Sequence, residues 1–204
     1  MAEKRIPADT TLTEPTFLND KKVDGELYAY LQSISMPVEN EGKMETRVYF
    51  KNMATQAKIC EKVKIKSPKT YKVHLNYLIE NGYIEVKDDY YLLNNKENAF
   101  LMIPLETLQF LVDVVQEHII KIYVYLGQRY KYGLTLGKQW EFTIQEVADH
   151  VGLKLDGTPR SYAIINHALE ALSSFGLISY VSFFDGKAPK KKLTGFSFEY
   201  KKPE

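Results

Sequence analysis

The chain has 204 residues, of which 45% are hydrophobic and 13% aromatic, as in a globular protein long enough for two small domains. The formal net charge of +1 excludes attraction of the whole molecule to a polyanion, so any nucleic-acid binding must rest on local basic clusters. A single cysteine excludes an intramolecular disulfide, and no signal peptide or membrane-spanning apolar run is found, so we expect a cytoplasmic protein without membrane contact.

The chain opens with an arm that lacks periodicity. Residues 1–22 mix threonine, proline and charged side chains, which predicts a flexible N-terminal arm. Residues 23–94 are predicted as a first domain. It begins with a helix at GELYAYLQSI, which covers the elements that follow, and TRVYF supplies a short strand.

Two helices joined by a tight turn are predicted next, at 53–63 and 68–81. Ser67 is suited to cap the second helix, Pro68 to its first turn, and Gly82 to a left-handed stop. The runs YIEV and YYLL, joined by KDD, then predict a β-hairpin. Helix, turn, helix and hairpin is the order of a winged helix-turn-helix domain.

The outer face of the second helix is basic and bears an amide. Five lysines and no acid fall within residues 62–72. In the major groove asparagine can pair bidentately with adenine, while lysines neutralise phosphates. A solvated lysine face that binds nothing is the open alternative. The candidate DNA-binding residues are Lys64, Lys66, Lys69, Thr70, Lys72, Val73 and Asn76.

A linker and a second domain are predicted after this hairpin. Residues 95–104 form the predicted linker, and residues 105–204 the second domain. The segment 118–131 reads as a helix that is apolar almost all round, which one small domain cannot easily hide. We therefore expect it in an interface between domains or subunits, and a homodimer is the favoured interpretation.

The helix-turn-helix pattern occurs twice. VADHVGL and TPRSY match ICEKVKI and SPKTY chemically, with Gly152 in the place of Lys64. The second pair of helices is predicted at 144–151 and 159–174, followed by the strands LISYVSFF and LTGFSFEY. The predicted fold class is mainly α with small β-hairpin wings, arranged as two tandem winged helix-turn-helix domains.

The second copy offers its own candidates for DNA binding. Arg160 stands at the helix entrance, where recognition helices usually touch DNA. The lysines of the second wing suit phosphates rather than bases, and a solvated loop is their open alternative. The candidates are Arg160, Ser161, Asn166, Lys187, Lys190, Lys191 and Lys192.

No catalytic constellation is found in the sequence. GLTLGKQW lacks the spacing and the Ser or Thr of a phosphate-binding loop, and the four histidines lie far apart without metal-ligand spacing. Cys60 is predicted on the inner face of its helix, as a small packed residue rather than a nucleophile. We expect a protein that is not an enzyme and uses no cofactor or metal.

IKSPKTYKVHLNYLIENGYIEV resembles the helix-turn-helix and wing of replication proteins from bacterial phages and plasmids. FLMIPLETLQFL, HIIKIYVYLGQRYKY, FTIQEVADHVGL and LEALSSFGLISYV are similar to the N-terminal winged-helix domain of plasmid replication initiators. The resemblance implies origin binding, dimerisation and recruitment of host replication proteins. Initiators commonly carry a further C-terminal domain, whereas this sequence stops at EYKKPE, so we expect a short relative or a fragment.

The resemblance also implies roles for individual residues. Lys69, Thr70, Lys72, Val73 and Asn76 would belong to the first recognition helix, and their second-domain equivalents would be Arg160, Ser161, Ala163, Asn166 and His167.

The predicted function is sequence-specific binding of double-stranded DNA, with plasmid or phage replication initiation as the expected role. A winged-helix transcription regulator would make the same contacts and remains an alternative. A protein-docking scaffold is a second alternative. The lysines argue against it for the first domain, whereas Ala163, His167 and Glu170 make the second domain less suited to a polyanion.

Overall fold

The computed structural model describes residues 5–8, 24–51, 55–94, 101–114 and 118–200. These ranges form two compact units, the first ending at Val114 and the second running from His118 onward. Both units combine helices with antiparallel sheet, so strands make a larger contribution than the predicted mainly α class implied. No helix in these ranges is long and apolar enough to cross a membrane.

The first unit is built on a four-stranded antiparallel sheet with the strand order β2-β3-β5-β4. A separate two-stranded sheet pairs β1 with β6, and Arg5 lies opposite Pro104. The elements are β1 (Arg5–Ala8), α1 (Gly25–Ser33), β2 (Met36–Asn40), β3 (Lys43–Tyr49), α2 (Gln56–Lys62), α3 (Pro68–Glu80), β4 (Ile84–Val86), β5 (Tyr90–Leu93), β6 (Leu101–Pro104) and α4 (Leu105–Asp113).

The limits of α2 and α3 follow from their capping residues. The Thr55 side chain accepts from the amide of Lys58, and the Ser67 hydroxyl accepts from the amides that open α3. Pro68 occupies the first turn of α3 as predicted. The predicted helix 68–81 is thus confirmed, while α2 begins later than predicted and its predicted start at 53 lies outside the described residues.

The second unit contains a three-stranded antiparallel sheet with the order β7-β9-β8. Its α6 begins in a capping box formed by Thr143 and Glu146, and Thr158 caps α7. Both helices agree with the predicted ranges. The elements are α5 (Ile119–Thr135), β7 (Glu141–Phe142), α6 (Ile144–Val151), α7 (Pro159–Ser174), β8 (Ile178–Phe184) and β9 (Pro189–Phe196).

The two copies of the repeat share backbone geometry as well as chemistry. Lys64 after α2 and Gly152 after α6 both have positive φ, of 57° and 79°, and the next amide donates to the carbonyl five positions earlier at 2.9 Å. Gly82 and Gly176 both have φ of 68°. The amide after each glycine also donates to the carbonyl five positions earlier, at 2.9 Å. The turns at Lys64 and Gly152 set how α2 leads into α3 and α6 into α7, and those at Gly82 and Gly176 lead from the second helix of each pair into the hairpin.

Three predicted boundaries differ from the structure. Residues 5–8 form β1 rather than part of an arm, and residues 101–104 form β6 rather than part of a linker. Helix α4 belongs to the first unit, where it packs on α1, although 105 was the predicted start of the second domain. The rest of the predicted arm and linker lies outside the described residues.

The predicted apolar helix is α5, and the apolar side chains of its N-terminal half are already buried in a single copy of the chain. Every residue from Ile119 to Gly127 is buried, and the hydroxyl of Tyr123 donates to the Ser197 carbonyl at 2.9 Å. Helix α5 packs against α6, α7 and β9. The buried half of α5 therefore needs no second subunit to cover it, whereas Tyr132 and Leu134 near its C-terminal end are exposed. The homodimer remains a prediction.

Candidate nucleic-acid interface

The outer face of α3 is the surface that the sequence predicted for DNA binding. Tyr71 and Leu78 point inward and are buried. Between them Lys72, Val73 and Asn76 are exposed, and Val73 retains 60% of its accessible surface. The exposed candidates on this helix are Lys69, Thr70, Lys72, Val73 and Asn76, and Lys66 is exposed in the turn that precedes it. The helix therefore brings all six together on one surface.

Three lysines of this surface have no ionic partner among the residues that the structure describes. Within the described part of the chain, no carboxylate lies in ion-pair range of Lys66, Lys69 or Lys72. They stand in the turn and the first half of α3, ahead of Asn76. Three unpaired cations beside a helix and an exposed amide form a surface that can neutralise phosphates while a side chain reads a base edge.

Lys64 differs from these lysines because it is engaged within the first unit. Its Nζ donates to the backbone carbonyl of Asp113 at 2.8 Å, and Lys62 Nζ lies 3.1 Å from the carboxylate Oδ1 of the same residue. Asp113 ends α4, where helix carbonyls lack intrahelical partners and cations are favoured. The hydrogen bond with Asp113 raises the pKa of Lys62. Lys64 thus caps α4, a contact that the prediction of DNA binding did not foresee.

Helix α3 is also tied to the start of α1. The Nε2 atom of His74 lies 3.6 Å from Oδ2 of Asp24, and the other carboxylate oxygen of Asp24 accepts from the amide of Leu27 at 2.9 Å. Asp24 therefore caps α1 and contacts α3 at once. This contact lies on the side of α3 opposite Lys69 and helps to fix which face of the helix reaches solvent.

The hairpin of the first unit is not basic. Lys87 Nζ is paired with Glu85 Oε2 at 2.9 Å, and Asp88 and Asp89 are exposed in the turn between β4 and β5. The hydrogen bond with Glu85 raises the pKa of Lys87. The three lysines without an ionic partner described above thus lie on α3 and the turn before it, not on the hairpin.

Arg160 is exposed at the start of α7, as predicted, but Ser161 is not a surface residue. Ser161 retains only 8% of its accessible surface, and its Oγ donates to the Thr158 carbonyl at 2.9 Å. Ser161 therefore offers almost no surface to DNA, which argues against its predicted contact. The physical reason is helical phase, because α7 is longer than α3 and its buried positions are shifted relative to its capping residue.

Aligning α7 and α3 by the glycines that follow them, Gly176 and Gly82, shows which residues of α7 face inward and which face outward. Ile165 then takes the buried place of Tyr71, and Leu172 that of Leu78. The outward equivalents follow from the same spacing: Ala163 for Lys69, Asn166 for Lys72 and Glu170 for Asn76. Asn166 is half-buried and Glu170 is exposed, so this face carries neutral residues in place of the two lysines and an acid in place of Asn76.

The lysines of the second wing lie in a strand rather than a loop. Lys190, Lys191 and Lys192 belong to β9, and only Lys187 stands in the turn. Lys190 Nζ is paired with Asp185 Oδ2 at 2.7 Å, and this contact holds the pKa of Asp185 well below its usual range. These residues therefore do not form the loose cationic loop that one reading of the sequence allowed.

Lys191 and Lys192 are half-buried. Lys191 Nζ lies 4.7 Å from the centre of the Tyr180 ring and donates to Ser182 Oγ at 3.2 Å. Burial lowers the pKa of Lys191. Lys192 stands opposite Glu141 in the pairing of β9 with β7.

A groove that the sequence did not predict runs between α7 and the β8–β9 hairpin of the second unit. Its volume is about 500 Å³, and its apolar lining includes Ile144, Tyr162, Phe183, Ala188 and Pro189. The lining residues come from separate parts of the unit, so no local pattern could have revealed the groove. The exposed Tyr162, one residue after the buried Ser161, was the nearest signal.

Comparison with protein-family models, with curated proteins and with solved structures finds no match to this chain.

Proposed function

We propose that both units are winged helix-turn-helix domains and that the first binds double-stranded DNA sequence-specifically through α3. In each unit a helix is followed by strand, a helix pair and a hairpin. The strand that precedes the helix pair, β3 or β7, pairs with the last strand of the hairpin, β5 or β9. This order and pairing support the winged-helix assignment, and the acid at the outer face of α7 makes the first unit the better DNA-binding candidate.

The observation that carries the proposal is the set of unpaired lysines around α3. Lys66, Lys69 and Lys72 would contact phosphates, which positions α3 in the major groove but reads no sequence. Asn76, exposed on the same helix, is the candidate for bidentate pairing with adenine. Three phosphate contacts would contribute about −2.7 to the slope of log affinity against log salt.

The test is duplex binding by the full chain across a salt series. Cognate duplexes are first selected from a random DNA pool. Lys66→Ala should weaken all duplexes alike and reduce the magnitude of the log–log slope by about one. No salt-dependent duplex binding by wild type, or an unchanged slope in each of the three single lysine variants, would leave α3 as a solvated surface.

Lys43→Ala is the matched control. Lys43 is an exposed lysine at the start of β3, beside the β2–β3 turn. The pairing of Thr46 with Leu93 and of Tyr49 with Tyr90 places that turn at the end of the sheet opposite the β4–β5 turn. Because Lys43 belongs neither to α3 nor to the turn before it, its removal should leave the slope unchanged.

Replication initiation at a plasmid or phage origin is the role that we propose for this binding, on the residues that resemble initiators. A transcription regulator would use the same contacts. The selected DNA distinguishes them, since repeated iterons fit an initiator and a single palindrome fits a regulator. A homodimer and contacts with host replication proteins are further parts of the proposal, and sedimentation on DNA carrying one or several sites tests the first of them.

A further inference from the structure

The groove of the second unit combines an apolar lining with a cation that has no acidic partner in the described part of the chain. Of the described residues that line it, none is acidic, and two are lysines, Lys190 and Lys191. Lys190 is neutralised by Asp185 at 2.7 Å. Within the described ranges no carboxylate lies in ion-pair range of Lys191, whose ammonium instead contacts the Tyr180 ring and Ser182 Oγ.

The surroundings of Lys191 favour a carboxylate as the group that binds to it. The side chain is half-buried, and Glu170 acts on it only from a distance. A partly desolvated ammonium gains more from an incoming carboxylate than a fully exposed lysine does, because the local dielectric is lower. The hydroxyl of Ser182 and the ring of Tyr180 hold the ammonium in place before any ligand arrives.

Exposed apolar side chains continue the groove lining outward. Tyr162 on α7 retains 39% of its accessible surface, and Phe184 at the end of β8 retains 66%. The strand register places Phe184 opposite Pro189 and Ser182 opposite Lys191, so Phe184 shares a sheet face with Lys191. A ligand anchored at Lys191 could therefore bury apolar side chains on both sides of the cation.

The charge of the neighbouring helix favours a peptide over nucleic acid at this groove. The outer face of α7 presents Glu170 where α3 presents Asn76, and Lys190 is already neutralised. Arg160 and Lys187 are exposed but lie outside the groove lining, so a polyanion in the groove would meet one engaged cation and one half-buried cation. A short acidic and apolar peptide needs only the single cation and the apolar lining.

We propose that the groove between α7 and the β8–β9 hairpin docks a partner-protein segment in which an acidic residue adjoins bulky apolar ones. The carboxylate pairs with Lys191, and the apolar residues pack against Ile144, Tyr162 and Pro189. The second unit then docks a partner protein, whereas the first unit binds DNA.

The probe is a set of peptides selected from a random display library on the full chain and then measured by fluorescence anisotropy. We expect acidic residues next to aromatic or large aliphatic ones among the selected peptides. Lys191→Met, which keeps an unbranched apolar side chain, should weaken their binding roughly tenfold or more. Lys187→Met is the matched control, because Lys187 is exposed in the same hairpin but does not line the groove, and it should bind as wild type does.

Three results would overturn the proposal. The first is that no peptide is retained, and the second is that Lys191→Met binds the selected peptides as well as wild type does. The third is that duplex DNA displaces the peptides while Lys187→Met and Lys191→Met weaken DNA binding alike, which would assign the groove to a DNA backbone. A Lys69→Ala variant that has lost DNA affinity should still bind the peptides, so the two proposals can fail separately.

Discussion

At Lys64 the effect of backbone conformation on stability can be measured separately from any effect of the side chain on DNA binding. Its φ of 57° is left-handed, and the equivalent residue in the second unit is Gly152 with φ of 79°. Lys64→Gly and Lys64→Ala both remove the ammonium that donates to Asp113 O at 2.8 Å. Only glycine adopts the left-handed conformation without strain, so the two variants differ chiefly in that term.

The expected magnitudes follow from these contacts. Loss of the exposed hydrogen bond to Asp113 should cost about 0.5 kcal/mol in both variants. Release of the left-handed strain should make Lys64→Gly more stable than Lys64→Ala by about 1 kcal/mol. Gly152→Ala introduces the same strain in the second unit and should lower the free energy of unfolding by about 1 kcal/mol.

The assay is urea unfolding followed by circular dichroism, together with duplex binding across a salt series. Because the Lys64 ammonium is held by α4, we expect both variants to keep the wild-type salt slope, unlike Lys66→Ala. Equal stability of the glycine and alanine variants would refute the strain argument. A slope reduced by about one in both would show that Lys64 leaves Asp113 to contact phosphate.

Three further predictions concern single side chains. Asn76→Ala should cost roughly 1 to 3 kcal/mol on the selected duplex and little on random duplex, and equal losses on both in a binding titration would remove Asn76 as a base reader. Ser161→Ala should lower the free energy of unfolding by about 1 kcal/mol without changing duplex affinity, because Ser161 is buried and its hydroxyl donates to Thr158; weaker DNA binding at unchanged stability would contradict this. Hydrogen bonds from Thr158 lower the pKa of Asp156 to about 2, so the stabilisation from Asp156 is complete above its unfolded pKa of about 3.9 and is lost as pH falls through about 2. The advantage of wild type over Asp156→Asn in unfolding free energy should therefore shrink between these two pH values when unfolding is measured across an acid titration. A difference that stays constant with pH would show that protonation of Asp156 is not linked to stability.

Local signals in the sequence accounted for the helix pairs. Ser67 and Thr158 cap their helices, and Gly82 and Gly176 end them with positive φ, because these residues act on the backbone beside them. The same signals misjudged Ser161. Aligning two helices by their caps assumes equal lengths, and the extra turn of α7 changes which residues face inward.

Contacts between distant residues were beyond prediction from local pattern. Nothing near Lys64 in the sequence points to Asp113, and nothing near Lys191 points to Tyr180 and the groove. Both lysines read as parts of charge runs, which are usually solvated. Their actual surroundings depend on α4 and β8, whose packing is decided by the tertiary fold.

The pairing of β1 with β6 has a consequence for how the first unit is completed during synthesis. Arg5 cannot meet Pro104 until the chain between them has left the ribosome, and α1 cannot receive α4 until residue 113 is made. Such non-local closure slows folding, because loop entropy is lost before the contacts form. A nascent chain halted at 94 should therefore remain open to proteases, whereas one released at 114 should become resistant.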